Sequence, residues 1–230
     1  MIDFYDDWAN VRLVSYTQVP DYVVDEEVIG SPLELVAYCA RVSSPNSQTK
    51  NLNAEKLVNY LIKHKHWSPL EMVDVTLEIN TARDIGRQML RHRSASFQEW
   101  SGRYAISNQF VTRAARRQDT ENRQNSIDDL PHEVQLEWEN RQLALLKQVN
   151  EDYEWAIANN IAKECARVVL PEGLTKSKLY MKASLRTWIH YIELRSANGT
   201  QKEHEQIALA CAEVIGEIFP QIDNYTNRSN

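Results

Sequence analysis

The spacing of apolar residues divides the first part of the chain into short elements. Residues 13–17 predict a short strand, and an acidic loop is expected over 20–30. Ser31 is a candidate N-cap because a proline follows it and a glutamate stands at the third helical position, so a helix is predicted as far as Arg41. The polar stretch 44–49 contains a proline and predicts a loop.

The next elements change from helical to strand spacing and back. Apolar side chains three and four residues apart predict a helix over 53–64, whereas alternation over 72–80 predicts a half-buried strand. Helical spacing returns over 81–90, where Thr81 and Asp84 stand in capping-box positions. The chain is therefore expected to combine a sheet with amphipathic helices.

The second half is expected to be mostly helical, after a polar stretch over 111–130 that predicts a mobile loop. Prolines and apolar spacing delimit four further predicted helices, over 133–159, 161–170, 176–195 and 201–219. No repeat, low-complexity tract or glycine and serine linker divides the chain. These patterns predict a single α+β domain over 1–230 with a helix-rich C-terminal half.

Composition narrows the class of protein. The chain has 230 residues, of which 43% are hydrophobic, so it can bury a sizeable core. Lys and Arg total 26 against 32 Asp and Glu, and the net charge of −6 disfavours binding to bulk nucleic acid or to an anionic membrane. The first ten residues hold no apolar run, so neither a signal peptide nor a membrane span is expected, and a cytoplasmic location is predicted.

The cysteines are expected to play no chemical part. Cys39, Cys165 and Cys211 stand far apart, each beside an alanine in an apolar stretch. An odd number without metal-ligand spacing predicts reduced core residues.

The segment from Arg91 to Tyr104 concentrates charged and hydroxyl side chains where a predicted helix ends. Arg91, Arg93 and Arg103 flank a single acid, Glu99, so they cannot all be neutralised locally. Guanidinium groups bind phosphate oxygens in a bidentate way, and the glycine of this segment allows close approach to the main chain. The segment predicts an anion pocket, although any arginine taken singly is better explained by a surface ion pair.

The order Arg91-His92-Arg93, seven residues and then Ser101 resembles the signature of the flavin-dependent thymidylate synthases, and the next three residues continue it. Further segments match the family pattern, at 40–43, 63–71, 166–171 and 194–195. The resemblance spans roughly residues 35–210.

Members of this family methylate dUMP to dTMP in de novo thymidylate synthesis. Methylenetetrahydrofolate donates the one-carbon unit, and NADPH supplies the reducing electrons through bound FAD. The resemblance implies an α+β fold with a small antiparallel sheet, in a homotetramer whose active sites are shared between subunits. It also implies dUMP, folate and NADPH as partners, and no cysteine nucleophile.

Carried over by position, the resemblance implies two sets of binding residues. The set implied for FAD is Ser68, Arg91, His92, Arg93, Glu99, Ser184, Arg186 and His190. The set implied for dUMP is Gln88, Arg91, Glu99, Trp100, Ser101, Gly102, Arg103, Arg167 and Arg195. Arg91 belongs to both sets and can serve two ligands from different subunits.

The same resemblance implies catalytic roles for Arg195, Ser101 and His66. Methylation at uracil C5 requires negative charge on the ring, which Arg195 can stabilise. Ser101 is expected to position dUMP rather than attack it, because only Glu99 is adjacent as a base. His66 resembles the family histidine near the folate and the flavin ring. With His64 it could instead form a metal site, but no further ligand pattern accompanies the pair.

The chain departs from the family pattern after residue 171. Ser184 stands where many members have asparagine, Gly199 and Thr200 replace a His-Ala pair, and one residue is inserted before Arg195. Arg186 and Arg195 are nine residues apart, so on one ideal helix they point in opposite directions. Separate ligands, or a helix end before Arg195, would reconcile that spacing with a shared site.

A second hypothesis is a nucleotide- or RNA-binding module built on Arg113, Arg116, Arg117 and the cluster at Arg91. The acidic net charge and the absence of a glycine-rich or RNP-like motif argue against it.

Overall fold

A four-stranded antiparallel sheet lies at the centre of the structure, a computed structural model that describes residues 3–4, 9–18, 23–24, 27–44 and 53–227. The strands, numbered along the chain, are β1 (Asp3–Phe4), β2 (Asn10–Tyr16), β3 (Val23–Val24), β4 (Glu27–Val28), β5 (Asp74–Ala82), β6 (Ser96–Glu99), β7 (Gln109–Phe110), β8 (Arg117–Gln118), β9 (Ser126–Ile127) and β10 (Lys176–Ser184). The helices are α1 (Pro32–Ala40), α2 (Ala54–Lys63), α3 (Arg83–Met89), α4 (His132–Ala158), α5 (Lys163–Ala166), α6 (Leu185–Arg195) and α7 (Lys202–Gly216). Short 3-10 helices cover Ser68–Met72, Arg167–Val169 and Pro220–Tyr225.

The central sheet has the order β2-β5-β10-β6, so the two long strands β5 and β10 occupy its middle. Leu77 pairs with Met181 and Ile79 with Leu179, and all four side chains are fully buried. The α+β fold with a small antiparallel sheet is thereby confirmed.

The prediction of one helix over 176–195 is wrong in its first half. Alternate residues from Ser177 to Ala183 are buried, which is the period of a strand, and β10 pairs on both sides. The helix begins only at Leu185, after the N-cap Ser184, whose Oγ accepts a hydrogen bond from the Thr187 N–H. Two-sided pairing decided the structure here, because strand preference depends on neighbours more than on local sequence.

Helices α6 and α7 cover the apolar face of the sheet. Trp188 of α6 is fully buried, and its indole N–H donates to the Val75 carbonyl of β5 at 3.1 Å. Ile192 of α6 and Ile207 of α7 belong to the same core cluster. This packing fixes both helices against the strand that leads into the candidate site.

Helix α4 has two different halves. Leu146, Val149 and Tyr153 in its second half are buried, whereas nearly all residues from 131 to 141 are exposed. The exposed large hydrophobic side chains of this helix are Val134, Leu136, Trp138, Leu145 and Trp155. The first half of the helix therefore presents an apolar surface to solvent.

Several local predictions are confirmed. The Ser31 Oγ accepts from the Glu34 N–H at 3.2 Å, and the Glu34 carboxylate accepts from the Gly30 N–H, so α1 begins as expected. The elements predicted at 13–17, 53–64, 72–80, 133–159 and 201–219 correspond to β2, α2, β5, α4 and α7. The loop predicted over 44–49 lies outside the described residues after position 44.

Other local predictions are wrong. Helix α3 begins after Ala82 with no side-chain cap, Thr81 lies in β5, and Asp84 pairs with Arg113 at 2.6 Å. The stretch 111–130 contains the hairpin β8–β9, and 20–30 contains the paired strands β3 and β4. Cys165 is exposed rather than part of the core.

No helix in the described ranges combines the length and the apolar character needed to cross a membrane.

Candidate active site

The arginine-rich segment begins in the turn that follows α3, and it crosses the sheet edge as β6 before turning away at 101–105. The edge strand was not apparent from the sequence. It pairs with β10, where Leu179 lies opposite Glu99 and Met181 opposite Phe97. The sheet edge therefore carries the segment past the start of α6.

Arg195 contacts the histidine of the segment. Its Nε donates to His92 Nε2 at 3.0 Å. A guanidinium can only donate, so His92 must accept through Nε2 and is neutral, with its proton on Nδ1. Burial, and secondly the charge of Arg195, lower the pKa of His92 from 6.5 to about 4. His92 therefore holds the Arg195 guanidinium in place without neutralising its positive charge.

Glu99 is held by two groups that the sequence analysis missed. The Ser177 hydroxyl donates to Oε1 at 2.9 Å, and Arg87 lies 3.4 Å from Oε2. Ser177 is not among the predicted site residues because a helix is predicted where β10 forms. A signal for Arg87 does exist in the sequence, since Arg83, Arg87 and Arg91 recur every four residues.

A cavity of about 430 Å³ lies beside the glycine of the segment. Its charged lining consists of three arginines and two glutamates, namely Arg83, Arg87, Arg167, Glu164 and Glu172. A Cβ on Gly102 would lie 3.1 Å from the Ser107 hydroxyl and 3.6 Å from Arg167 Cδ, so a side chain at this position would be crowded. The excess of positive charge suits an anion.

The remaining residues of the segment differ in their surroundings. Arg91 and Arg93 are exposed, and neither forms an ion pair with any residue that the structure describes. Arg103 pairs with Glu164 at 3.3 Å, and its main-chain N–H donates to the Ser101 hydroxyl. The two arginines of the signature therefore present their charge to solvent.

The other residues predicted for FAD form a second cluster at the start of α6. The Ser184 hydroxyl donates to Glu71 at 2.6 Å, and Arg186 pairs with the same carboxylate at 3.0 Å. The His190 ring packs edge-on against Trp67, with centroids 4.6 Å apart. Ser68 begins the 3-10 helix that carries Glu71, and it is exposed.

Helix α6 runs without interruption to Arg195. The explanation by a helix end before Arg195 is therefore wrong, and Arg186 and Arg195 stand at opposite ends, about 13 Å apart along the axis. One chain thus presents two separate clusters of the residues predicted for FAD.

His66 is exposed and immediately precedes Trp67, which packs against His190 in the second cluster. Its ring is 6.1 Å from that of Tyr60 and 6.2 Å from that of His64. Within the described ranges, no group of three His, Cys, Asp or Glu side chains could hold a metal ion, so the two-histidine alternative gains no third ligand.

Gly199, one of the departures from the family pattern, has a structural reason. Its φ is +87°, a left-handed conformation that glycine adopts without strain. A histidine at this position would be strained in this turn.

The arginines of the RNA-binding hypothesis are already paired. Arg113 binds Asp84, Arg116 binds Glu203, and Arg117 binds Asp129. Arg116 and Arg117 stabilise the β8–β9 hairpin through these contacts. The hypothesis therefore loses three of its cations and keeps only the cluster at Arg91.

Fold and site together define an α+β protein with a cationic cavity and an unneutralised arginine pair at one sheet edge. A family profile described as "Thymidylate synthase complementing protein" matches residues 22–221. The flavin-dependent thymidylate synthase of Synechocystis sp. is 48% identical over 213 residues, covering 93% of this chain and 97% of that protein. A probable flavin-dependent thymidylate synthase of Paramecium bursaria Chlorella virus 1 is 48% identical over 197 residues, covering 85% and 91%.

The chain therefore belongs to the flavin-dependent thymidylate synthase family, and it is a methyltransferase enzyme. A crystal structure of the UMP/dUMP methylase PolB from Streptomyces cacaoi, bound with 5-Br dUMP, superposes with a TM-score of 0.81 at 23% identity, covering 97% of this chain and 96% of that one. This similarity shows a shared fold.

Proposed function

We propose that the protein converts dUMP to dTMP in de novo thymidylate synthesis, with methylenetetrahydrofolate as the one-carbon donor, NADPH as the reductant and FAD as the bound cofactor. The observation that carries the proposal is the Arg195 guanidinium, held by a neutral histidine rather than a carboxylate. Among the described residues Arg195 has no carboxylate partner, so its charge can stabilise negative charge on the uracil ring, which attack from C5 requires.

The charges of the site fit FAD, whose pyrophosphate is anionic. Arg91 and Arg93 are exposed cations free of carboxylate partners among the described residues, and Arg186 is half-exposed beside Glu71. FAD, when bound, passes the reducing electrons from NADPH to the one-carbon unit. The residues proposed to hold it are Ser68, Arg91, His92, Arg93, Glu99, Ser184, Arg186 and His190.

The cavity beside Gly102 is the proposed place of the dUMP phosphate. Arg167 lies against this glycine, and the Ser101 and Gly102 main chain can approach a ligand closely. The other proposed dUMP residues are Gln88, Arg91, Glu99, Trp100, Arg103 and Arg195. In this arrangement the protein orients the uracil base against Arg195, while the phosphate is bound in the cavity beside Gly102.

Ser101 is proposed to position dUMP rather than attack it. A serine nucleophile needs a base within hydrogen-bond reach. The Glu99 carboxylate is already bonded to Ser177 and paired with Arg87, whereas the Ser101 hydroxyl accepts from the Arg103 N–H. His66 is proposed to act near the folate, where an exposed imidazole can contact a second ligand.

Self-association as a homotetramer in the cytoplasm is part of the proposal. One chain carries its predicted FAD residues in two separate clusters, which sites shared between subunits would combine. The exposed apolar side chains at the start of α4 offer a surface for this contact. Light scattering should give the mass of a tetramer, and Trp138→Glu should lower it; a wild-type monomer would contradict the assembly.

The enzyme activity is tested directly with the purified protein. It should be yellow, its flavin absorbance should bleach anaerobically with NADPH, and dUMP with methylenetetrahydrofolate should then yield dTMP. Protein that takes up FAD but forms no dTMP would contradict the reaction, and protein that cannot take up FAD would contradict the cofactor.

A further inference from the structure

A hydrogen-bonded series of five side chains links α3 to α6 and α7 beneath the site. The residues are Tyr191, His204, Gln88, Gln201 and Glu203. Only Gln88 is among the residues predicted to touch a ligand, and His204 and Tyr191 are fully buried. The mechanism described above uses none of the other four.

The direction of every hydrogen bond follows from the carboxylate at one end. Glu203 accepts from Arg116 at 2.5 Å and from the Gln201 amide nitrogen at 3.0 Å. Burial would raise the pKa of Glu203, yet these hydrogen bonds hold it below its usual value, so the group is an acceptor only. The Gln201 amide must therefore turn its oxygen towards Gln88.

The same logic continues through the next two members. The Gln88 amide nitrogen donates to Gln201 Oε1 at 2.7 Å, so its oxygen faces His204 Nδ1 at 3.2 Å. His204 must then donate from Nδ1 and accept at Nε2 from the Tyr191 hydroxyl, 3.2 Å away. This requires a neutral histidine, and burial raises the pKa of the Tyr191 phenol, which keeps it a donor.

We propose that His204 is a positioning residue for substrate binding, which acts by fixing the orientation of the Gln88 amide. Both ends of that amide are held inside the protein, which leaves one N–H and one lone pair of Gln88 aimed in a set direction for dUMP. The inference rests on the proposed function, because it takes dUMP as the ligand of Gln88. Glu203 fixes the direction of the hydrogen bonds on one side of Gln88, through Gln201. His204 holds the Gln88 amide from the other side.

The experiment compares substitutions that retain or lose the Nδ1 donor, in the FAD-loaded enzyme. The Asn amide nitrogen reaches the place of Nδ1, whereas the Gln amide reaches that of Nε2. His204→Gln and His204→Phe should therefore weaken dUMP binding about tenfold, the effect of one lost hydrogen bond to a substrate-positioning group. His204→Asn should stay within about threefold of wild type.

Three further readouts separate positioning from general packing. FAD content should be unchanged, kcat at saturating dUMP should change much less than KM, and Ile207→Val, a buried change one turn further along α7, should leave dUMP binding unaltered. Gln88→Ala should add little to His204→Phe, because coupled residues are not additive.

Folded His204→Phe or His204→Gln protein with wild-type dUMP affinity would overturn the inference, as would full additivity with Gln88→Ala. Wild-type holoenzyme that binds no dUMP would instead overturn the proposed function itself. If His204→Phe does not fold, the Asn and Gln pair decides the question, since equal affinities of the two variants would contradict a role for Nδ1.

Discussion

The Nε of Arg195 lies 3.0 Å from Nε2 of His92, although the two residues are 103 positions apart in the chain. An arginine next to a histidine is favourable only while the histidine is neutral, and burial together with Arg195 lowers the pKa of His92 to about 4. The pair keeps one full positive charge at the C-terminal end of α6, where the helix dipole also favours a cation.

Replacing Arg195 should separate cofactor binding from turnover. We expect Arg195→Ala to retain FAD while dTMP formation falls about a hundredfold or more, as when one preorganised donor is removed from a charged transition state. Flavin absorbance and product assays measure the two effects. Arg117→Ala, which removes an exposed arginine paired with Asp129, is the matched control and should keep full activity. Normal turnover by Arg195→Ala would remove this residue from its proposed role.

Acid should destabilise the protein through His204. Burial first, then the charge of Arg195, lower the pKa of His204 from 6.5 to about 3. Between those values the unfolded chain binds a proton that the native state excludes, so stability falls as the pH drops below 6.5, by up to about 1.4 kcal/mol per pH unit. Urea unfolding at pH 7 and pH 5 should show the loss, and His204→Asn should reduce the pH slope. An unchanged slope in that variant would contradict a neutral buried histidine, and the exposed His132→Gln serves as control.

Replacing Gly102 by alanine should weaken dUMP binding. The Cβ of Gly102→Ala would lie 3.1 Å from Ser107 Oγ, so the Ser107 side chain or the turn beside Arg167 must move by a few tenths of an ångström. We expect KM for dUMP to rise about tenfold or more, with the fold retained. Gly216→Ala, whose Cβ would meet its nearest atom at 3.7 Å, is the control and should leave KM unchanged. Equal KM values for both variants would argue against a ligand next to Gly102.

Removing all cysteines should leave the reaction intact. Burial raises the pKa of Cys39 and that of Cys211, so both thiols stay protonated, and Cys165 is exposed. The triple alanine variant should form dTMP at a rate close to wild type. Its unfolding free energy should drop by about 1 kcal/mol, mainly from the buried Cys211. Loss of activity in a folded variant would show that a thiol takes part.

Much of the fold could be predicted because the relevant signals are local. The first turn of α1 is specified by Ser31 and Glu34, and β5 by its alternation of apolar and polar residues. The helix predicted over 176–195 is wrong for β10. Leu179, Met181 and Ala183 do alternate with polar residues, but the central place of this strand depends on pairing with β5 and β6, 80 to 110 positions away. For the same reason Ser177 is absent from the predicted site residues.

The sequence by itself determined which residues bring charge to the site, since Arg91, Arg93 and Arg103 stand close together with one acid between them. Only the tertiary structure decided their partners. His92 meets Arg195, Glu99 meets Ser177 across 78 positions, and Gln88 meets His204 across 116. Those contacts depend on how the sheet and helices pack, because hydrogen bonding and burial act over a few ångströms in space, whatever the separation along the chain.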